Sequence, residues 1–332
     1  MTADRPEIIA TVNLERATRE RLRRYVAAGA TLLRMNGAFV RAADVPAAVA
    51  FLRTAAAGRA RVILDLPGYK LRLLGLERPV RFTRGTPVVL ERRWLNYADA
   101  FDLFDEGTSL RLNDGRVVLT IRDRSGDRVT CAASRPGVLT PGKGIHLECR
   151  SYRPATAALS QLDHDLVRAA VAEGVDCVGL SFAHNADDVL HAQRLCHGSS
   201  TSVVPKIESK ESVKRTGEIV ELASEVIIDR GDLAAEIGLD KVWRAQREVI
   251  ATCKRSGVRV YVATQVLSSM VRHALPSIAE IDSLYSLMHE GIDGIQLSEE
   301  TSVGRHAVEC VRMVRAIFDS ARPAAGGLRK VV

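Results

Sequence analysis

Cysteine, aromatic residues and long apolar runs are all scarce in this 332-residue chain, and each scarcity excludes something. The six cysteines, Cys131, Cys149, Cys177, Cys196, Cys253 and Cys310, lie far apart with no CxxC pair. Reduced, mostly buried thiols are therefore expected, rather than disulfides or a zinc site. No apolar run reaches the ~18 residues of a membrane span. The start, Met1-Thr2-Ala3-Asp4-Arg5-Pro6, lacks the apolar stretch of a secretory leader. The expectation is a cytoplasmic protein with no membrane partner. Aromatics make up only 5%, and the net charge of +7 comes from arginines scattered along the whole chain. A nucleic-acid surface combines clustered charge with interleaved aromatics. Solvated helix faces explain most of the excess here, and an anionic small molecule a few residues of it.

What is present is an alternation of short strand-like and helix-like segments. Glu7–Val12 reads as a strand, and the segment after it sets Leu22, Tyr25 and Val26 on one helical face. Ala30–Met35 reads as a strand, Val45–Ala57 as a helix and Arg61–Leu66 as a strand. The rhythm breaks at Pro67-Gly68. From there to Pro154 short β-rich runs (Pro87–Leu90, Val117–Ile121, Val129–Ala132) are punctuated by Asn113-Asp114-Gly115, Ser125-Gly126-Asp127 and Pro141-Gly142. The alternation resumes at Ser160, with strands expected at Cys177–Phe182, Ser202–Ile207, Glu225–Ile228, Arg259–Thr264 and Gly294–Ser298 and a last helix over Arg305–Ser320. Three strands before the insert and five after it make eight. The roughly 245 residues outside the insert are about the usual size of a (β/α)₈ barrel. The expected architecture is an α/β protein: a (β/α)₈ TIM barrel with an inserted small β-barrel-like lid domain after strand three. Its parts are barrel over 1–67, lid over 68–154, barrel over 155–322 and a flexible tail over 323–332.

In such a barrel the active site lies at the C-terminal strand ends. Here those ends read Thr11-Val12-Asn13, Arg34-Met35-Asn36, Asp65, Ser181-Phe182, Lys206-Ile207-Glu208, Arg230-Gly231-Asp232, Thr264-Gln265 and Ser298-Glu299-Glu300-Thr301. Alternation along a strand points Lys206 and Glu208 the same way. Glu208 and Asp232 offer hard oxygen ligands for Mg²⁺ or Mn²⁺. Lys206 and Arg34 can balance charge on a phosphoryl group in flight. Gly231 lets backbone approach a carboxylate closely, and Thr264 can position a proton near an enolate carbon. Each element has a bland reading. Lys-x-Glu at a strand end is commonly a surface ion pair, Arg-Gly-Asp a turn and Thr264 a plain β-former. Their joint placement at the ends of five strands is what argues for a site.

These same residues resemble the pyruvate kinase family. The stretches that carry the resemblance are Lys206-Ile207-Glu208, Asp229-Arg230-Gly231-Asp232-Leu233 with Glu236-Ile237, and Val262-Ala263-Thr264-Gln265-Val266-Leu267-Ser268-Ser269-Met270. Gly174-Val175-Asp176 leading to Ser181-Phe182, Leu64-Asp65 and Lys143-Gly144-Ile145-His146-Leu147 add to them. The resemblance implies a barrel with a β-rich lid and a divalent metal on Glu208 and Asp232. It implies Lys206 at the transferring phosphoryl group, Thr264 by the enolate carbon and Arg34 by the phosphate. It puts Arg72 and Lys143 over the nucleotide phosphates, and Asn36, Asp65, Gly231 and Ser298 among the substrate-binding groups. A homodimer through the barrel is a further implication.

The departures from the family are uneven. A potassium-ligand serine reads Ala38, a nucleotide-side histidine reads Phe39 and a potassium-ligand threonine reads Leu66. Lys70 stands where a glutamate is usual and is expected to substitute for potassium, so no potassium requirement is expected. The family's C-terminal domain, which binds effectors, is expected to be absent. Three functions follow as expectations. The first is phosphoryl transfer between phosphoenolpyruvate, or a related enol phosphate, and a nucleoside diphosphate through a Mg-bound enolate. The second is a Mg-dependent oxo-acid decarboxylase or aldolase without nucleotide. The third is a catalytically weak phosphoenolpyruvate-binding paralogue.

Overall fold

Eight short runs rich in branched apolar residues pair side by side in parallel and close on themselves. In the computed structural model of the chain, which describes residues 5–112, 117–148, 152–153 and 159–321, these barrel strands are Glu7–Thr11, Leu32–Asn36, Arg61–Asp65, Cys177–Leu180, Ser202–Ile207, Glu225–Asp229, Arg259–Ala263 and Gly294–Leu297. Their order around the barrel follows the chain. Strand one pairs both strand two and strand eight. Helices follow the strands on the outside, as parallel pairing demands. No described helix is long and apolar enough to cross a membrane.

Alternation along each strand sorts the side chains into two cores. Ile8, Ala10, Leu33, Val62 and Val178 join the large cluster under the helices. Ile9, Leu32, Ile63, Cys177, Val204, Ile227, Tyr261 and Ala263 form a second cluster, which fills the barrel. Beneath that apolar layer lies a charged plug. Glu225 accepts from Arg61 at 3.3 Å, from Arg259 at 3.1 Å and from the Tyr261 hydroxyl at 3.1 Å. Glu7 accepts from Arg61 at 2.8 Å and from the same hydroxyl at 2.6 Å. Above the apolar layer, two residues further along the same inward rows, stand Thr11, Arg34, Asp65, Lys206 and Asp229. One end of the barrel interior is thus sealed by ion pairs, and the other presents charge to the mouth.

Between strand three and the helix Gln161–Ala172 the chain builds antiparallel sheets. Five strands lie in the order Ile145–Leu147, Ser109–Leu112, Val117–Ser125, Arg128–Ala133 and Pro87–Glu91. A separate pair joins Val80–Phe82 to Gly137–Leu139. These elements bury their own apolar cluster around Phe101, Phe104, Leu110 and Ile121. Gly126 and Gly142, at two of the expected turns, have φ of +55° and +74°, which glycine adopts without strain. Among the described residues the insert thus pairs as two antiparallel sheets, one of five strands and one of two, consistent with the small β domain expected after strand three.

Several boundaries differ from expectation for local reasons. Strand two starts at Leu32 rather than Ala30, because Gly29 ends the preceding helix in a left-handed turn and the Ala30 amide still bonds back to Tyr25. The last helix starts at Ala307 rather than Arg305. Strand six ends at Asp229. Arg230-Gly231-Asp232 is therefore not a strand end but the first turn of the helix Arg230–Ile237, capped by Asp229. Five cysteines, Cys131, Cys177, Cys196, Cys253 and Cys310, are buried and unbridged, as expected. Cys149, the turn Asn113-Asp114-Gly115, the connection at Pro154 and the tail 323–332 lie outside the described residues.

Glu225→Gln removes the charge that holds two arginines and a tyrosine at the closed end of the barrel. It should lower unfolding free energy by about 2 kcal/mol, the scale of a charge-assisted hydrogen bond, with little change at the mouth. Urea unfolding of the two proteins at pH 7 measures it.

Candidate active site

The site is organised by a buried lysine. Lys206, near the end of strand five, is 3% exposed. Its ammonium lies 2.9 Å from Glu208 Oε2, 3.2 Å from Asp229 Oδ2 and 3.6 Å from Asp65 Oδ2. Burial alone would drive the proton off. The Glu208, Asp229 and Asp65 carboxylates outweigh it and raise the ammonium pKa. Glu208, fully buried, is pushed up to about 7 by burial, with the Asp232 and Asp229 charges adding to that and Lys206 opposing it. Asp229 is held low against its burial, chiefly by Lys206. Asp232 is held well below the usual carboxylate range by Lys70 and His146, which overcome its burial.

Arg34, on strand two, donates from Nε to Asp65 Oδ2 at 2.7 Å and from Nη1 to Thr11 Oγ1 at 3.0 Å. Both Arg34 and Asp65 are buried. Gly179 on strand four makes room for Asp65, since a Cβ there would lie 2.1 Å from its Oδ1. Asn36 turns its amide oxygen to the Ala38 N–H at 3.1 Å. Leu66 is 1% exposed, whereas Phe39 is 80% exposed at the mouth.

The strand ends around Glu208 are strained. Phe182 has φ of +54°, Thr264 of +70° and Gln265 of +56°. For β-branched Thr264 such a backbone is a genuine outlier, costing on the order of 1–3 kcal/mol. Named contacts hold it. The Arg230 guanidinium donates to the Thr264 carbonyl at 3.0 Å and the Gln265 carbonyl at 2.7 Å. The Phe182 amide donates to Glu208 Oε1 at 2.7 Å. Glu300 accepts the amides of Val266, Leu267 and Ser298, at 3.2, 3.1 and 2.8 Å, tying the ends of strands seven and eight together. The bent backbone points the Thr264 hydroxyl at Asp229 Oδ1, 2.7 Å away.

The insert reaches this mouth with two groups on one carboxylate. Lys70 forms an ion pair with Asp232, and His146 Nε2 lies 3.1 Å from Asp232 Oδ1. Arg72, whose backbone bridges to Gly144, lines the same cleft with Lys143, Arg135 and Arg272. The cleft has a volume of about 1040 Å³ and extends from Lys206 and Asp229 to Ser298 and Phe39.

Of the candidate site residues, Arg34, Asn36, Asp65, Lys70, Arg72, Lys143, Lys206, Gly231, Asp232, Thr264 and Ser298 line this cleft, whereas Glu208 is fully buried and does not. Lys70, expected to substitute for potassium, forms an ion pair with Asp232. Four carboxylates besides Asp232 line the cleft: Asp65, Glu299 and Glu300, which the strand-end reading included, and Asp229, which it did not. Asp229 matters most, because its oxygens and those of Glu208 and Asp232 come within 4.8 Å of one another. Alternation could have found it, since Ile227 faces the barrel interior and Asp229 follows two residues later. Reading Arg230-Gly231-Asp232 as the strand end hid that phase. His146 had no such signal; only packing of the insert brings it to Asp232.

Gly231 is required by close approach. A Cβ there would lie 2.7 Å from Thr264 Cγ2 and 3.5 Å from Asp229 Oδ1. Gly231→Ala should push Thr264 away and cost about 1–3 kcal/mol of stability, the range for overpacking. Thermal unfolding measures that cost, and a crystal structure of the variant should show the Thr264–Asp229 hydrogen bond lengthened.

Comparison with known proteins identifies a family. Residues 3–311 match the family model described as pyruvate kinase, barrel domain. A pyruvate kinase of Thermococcus litoralis is 28% identical over 332 residues, covering 96% of this chain and 70% of the relative. One of Agrobacterium vitis is 30% identical over 331 residues, covering 95% and 68%. Human pyruvate kinase PKLR is 29% identical over 344 residues, covering 96% and 60%. The chain spans about 60–70% of the length of these three relatives. With a family match over residues 3–311 and a closed eight-stranded parallel barrel, the chain belongs to the pyruvate kinase family.

Proposed function

We propose that the protein is a pyruvate kinase-like phosphotransferase. It moves a phosphoryl group between phosphoenolpyruvate, or a related enol phosphate, and a nucleoside diphosphate. The observation that carries this reading is the buried Lys206 ammonium, facing the cleft beside a cluster of hard oxygen donors. An ammonium held dry and pre-oriented is most useful where negative charge grows during reaction, as on a phosphoryl group in transit. Arg34 is the second cation at that point. Arg72 and Lys143, on the insert side of the cleft, are suited to the phosphates of the nucleotide.

Glu208, Asp229 and Asp232 fit a Mg²⁺ or Mn²⁺ ion, because the donors are all carboxylate oxygens and converge. Bound there, such an ion supplies Lewis-acid charge to substrate oxygens. Glu208, raised to about 7, must give up its proton to serve, so ion affinity should rise with pH near neutrality. Thr264, which lines the cleft, is the group assigned in this reading to sit by the carbon that gains a proton. Closure of the insert over the cleft would exclude water. Potassium is not required in this reading. Ala38 and Leu66 offer no oxygen side chains, Asn36 is committed to its own turn, and Lys70 supplies a tethered positive charge.

A second reading, a divalent-metal-dependent lyase acting on an oxo acid without nucleotide, is favoured by one observation. The exposed Phe39 ring offers no hydrogen bond on the nucleotide side of the mouth. One assay separates the two. Protein, phosphoenolpyruvate, ADP and Mg²⁺ should yield pyruvate and ATP in equal amounts, whereas an oxo acid cleaved with no ADP present would favour the lyase.

Lys206→Met should lower turnover by at least about a hundredfold, the scale of losing one preorganised electrostatic donor, and should change Mn²⁺ affinity as well, since the ammonium lies 2.9 Å from Glu208 and 3.2 Å from Asp229. Steady-state kinetics and Mn²⁺ titration check the two halves. Turnover in potassium, sodium and a bulky organic cation at equal ionic strength should agree within about tenfold, or roughly 1.4 kcal/mol of barrier.

A further inference from the structure

The three carboxylates that fit a divalent ion all come from the barrel, yet the insert holds one of them. Glu208 is fixed by the Phe182 N–H and the Lys206 ammonium. Asp229 is fixed by the Gly231 N–H, the Thr264 hydroxyl and Lys206. Asp232 differs. Among the described residues, the hydrogen-bond donors to its carboxylate are both on the insert. His146 Nε2 lies 3.1 Å from Oδ1, and the Lys70 ammonium pairs with the same oxygen. Neither contact uses Oδ2.

The fold aims His146 at this carboxylate. Ile145 and Leu147 are buried in the core of the insert, so alternation turns the residue between them to the opposite face. The Ile145 N–H donates to the Leu71 carbonyl at 2.9 Å, and His146 stands opposite Arg111 in the neighbouring strand, which sets its place along the sheet. The strand Ile145–Leu147 packs on the helix Arg230–Ile237, whose first turn carries Asp232.

We propose that His146 is a positioning residue for the divalent ion. It holds Oδ1 of Asp232 so that Oδ2 faces the ion, and the site reaches full affinity only with the insert docked. This rests on the metal reading above. A carboxylate ligand is free to turn about its side-chain torsions unless an outer hydrogen bond fixes the oxygen that the metal does not use. Lys70 is less suited to that task once an ion is bound, because two cations then repel across one carboxylate. An imidazole with its proton on Nε2 donates without carrying a charge.

The test titrates Mn²⁺ calorimetrically into the full chain and its variants. His146→Ala should weaken Mn²⁺ binding by about tenfold or more, the range for an outer partner of a metal ligand. His146→Gln, which restores an N–H donor, should recover most of the loss. Lys70→Met, which removes a cation beside the ion, should bind Mn²⁺ more tightly. Coupling is reciprocal, so bound Mn²⁺ should slow amide exchange in Ile145–Leu147 of the unaltered protein but not of His146→Ala. Exchange at Leu119 and Ile121 in the insert core, measured without metal, should be alike in all of them. Unchanged or tighter Mn²⁺ binding by His146→Ala overturns the proposal; tighter binding would mean that the insert competes with the ion. So does a loss that His146→Gln leaves unrepaired and that comes with faster exchange at Leu119 and Ile121, the mark of a merely structural role. If the unaltered protein binds no Mn²⁺, the metal reading and this assignment fall together. If Mn²⁺ binds His146→Ala normally but not Asp232→Ala, the metal reading stands and only this assignment falls.

Discussion

The site depends on a positive charge kept out of water. Lys206 is as buried as the apolar residues of the barrel core and would not stay protonated there by itself. It does so because strands three, five and six each bring one carboxylate to within 3.6 Å of it. Removing any one of them shifts the balance for the other two, since buried charges interact strongly at low effective dielectric. Arg34 and Thr11 extend the arrangement to strands one and two through Asp65. Lys70 and His146 extend it to the insert through Asp232. The mouth is one coupled charge network, and its members have to be understood together.

The backbone strain fits the same picture. Thr264 and Gln265 occupy left-handed conformations in a segment with no glycine. The Arg230 guanidinium, from the first turn of the helix that follows strand six, holds both carbonyls. Glu300 holds the amides that follow. The product is a hydroxyl fixed over Asp229. A relaxed strand end would point that threonine elsewhere, so the strain and the polar contacts form a single device that serves the site.

The fold was legible because period and punctuation are local. Eight apolar runs, the switch to β-rich segments at Pro67-Gly68 and the return at Ser160 follow from side-chain alternation and turn chemistry. Most of the mouth followed as well, since Lys206, Glu208, Thr264 and Arg34 lie at or near strand ends and alternation assigns their facing. Errors arose where a local signal was ambiguous. Asp229 can close a strand or cap a helix, and it does both. Expecting the strand to stop at Ile228 and Arg230-Gly231-Asp232 to form its end missed both roles.

By itself the sequence determined the barrel, the position of the insert, the charge types at the mouth and the family. These rest on interactions between residues close along the chain, or on patterns that repeat with the period of a strand or helix. Only the tertiary structure decided which charges meet. Lys70 and His146 are 162 and 86 residues from Asp232, and Asp65 is 141 from Lys206. Nothing local sets those distances. They are fixed when the strands close into a barrel and the insert packs on its mouth, bringing Asp229 under the Thr264 hydroxyl and the Gly231 amide.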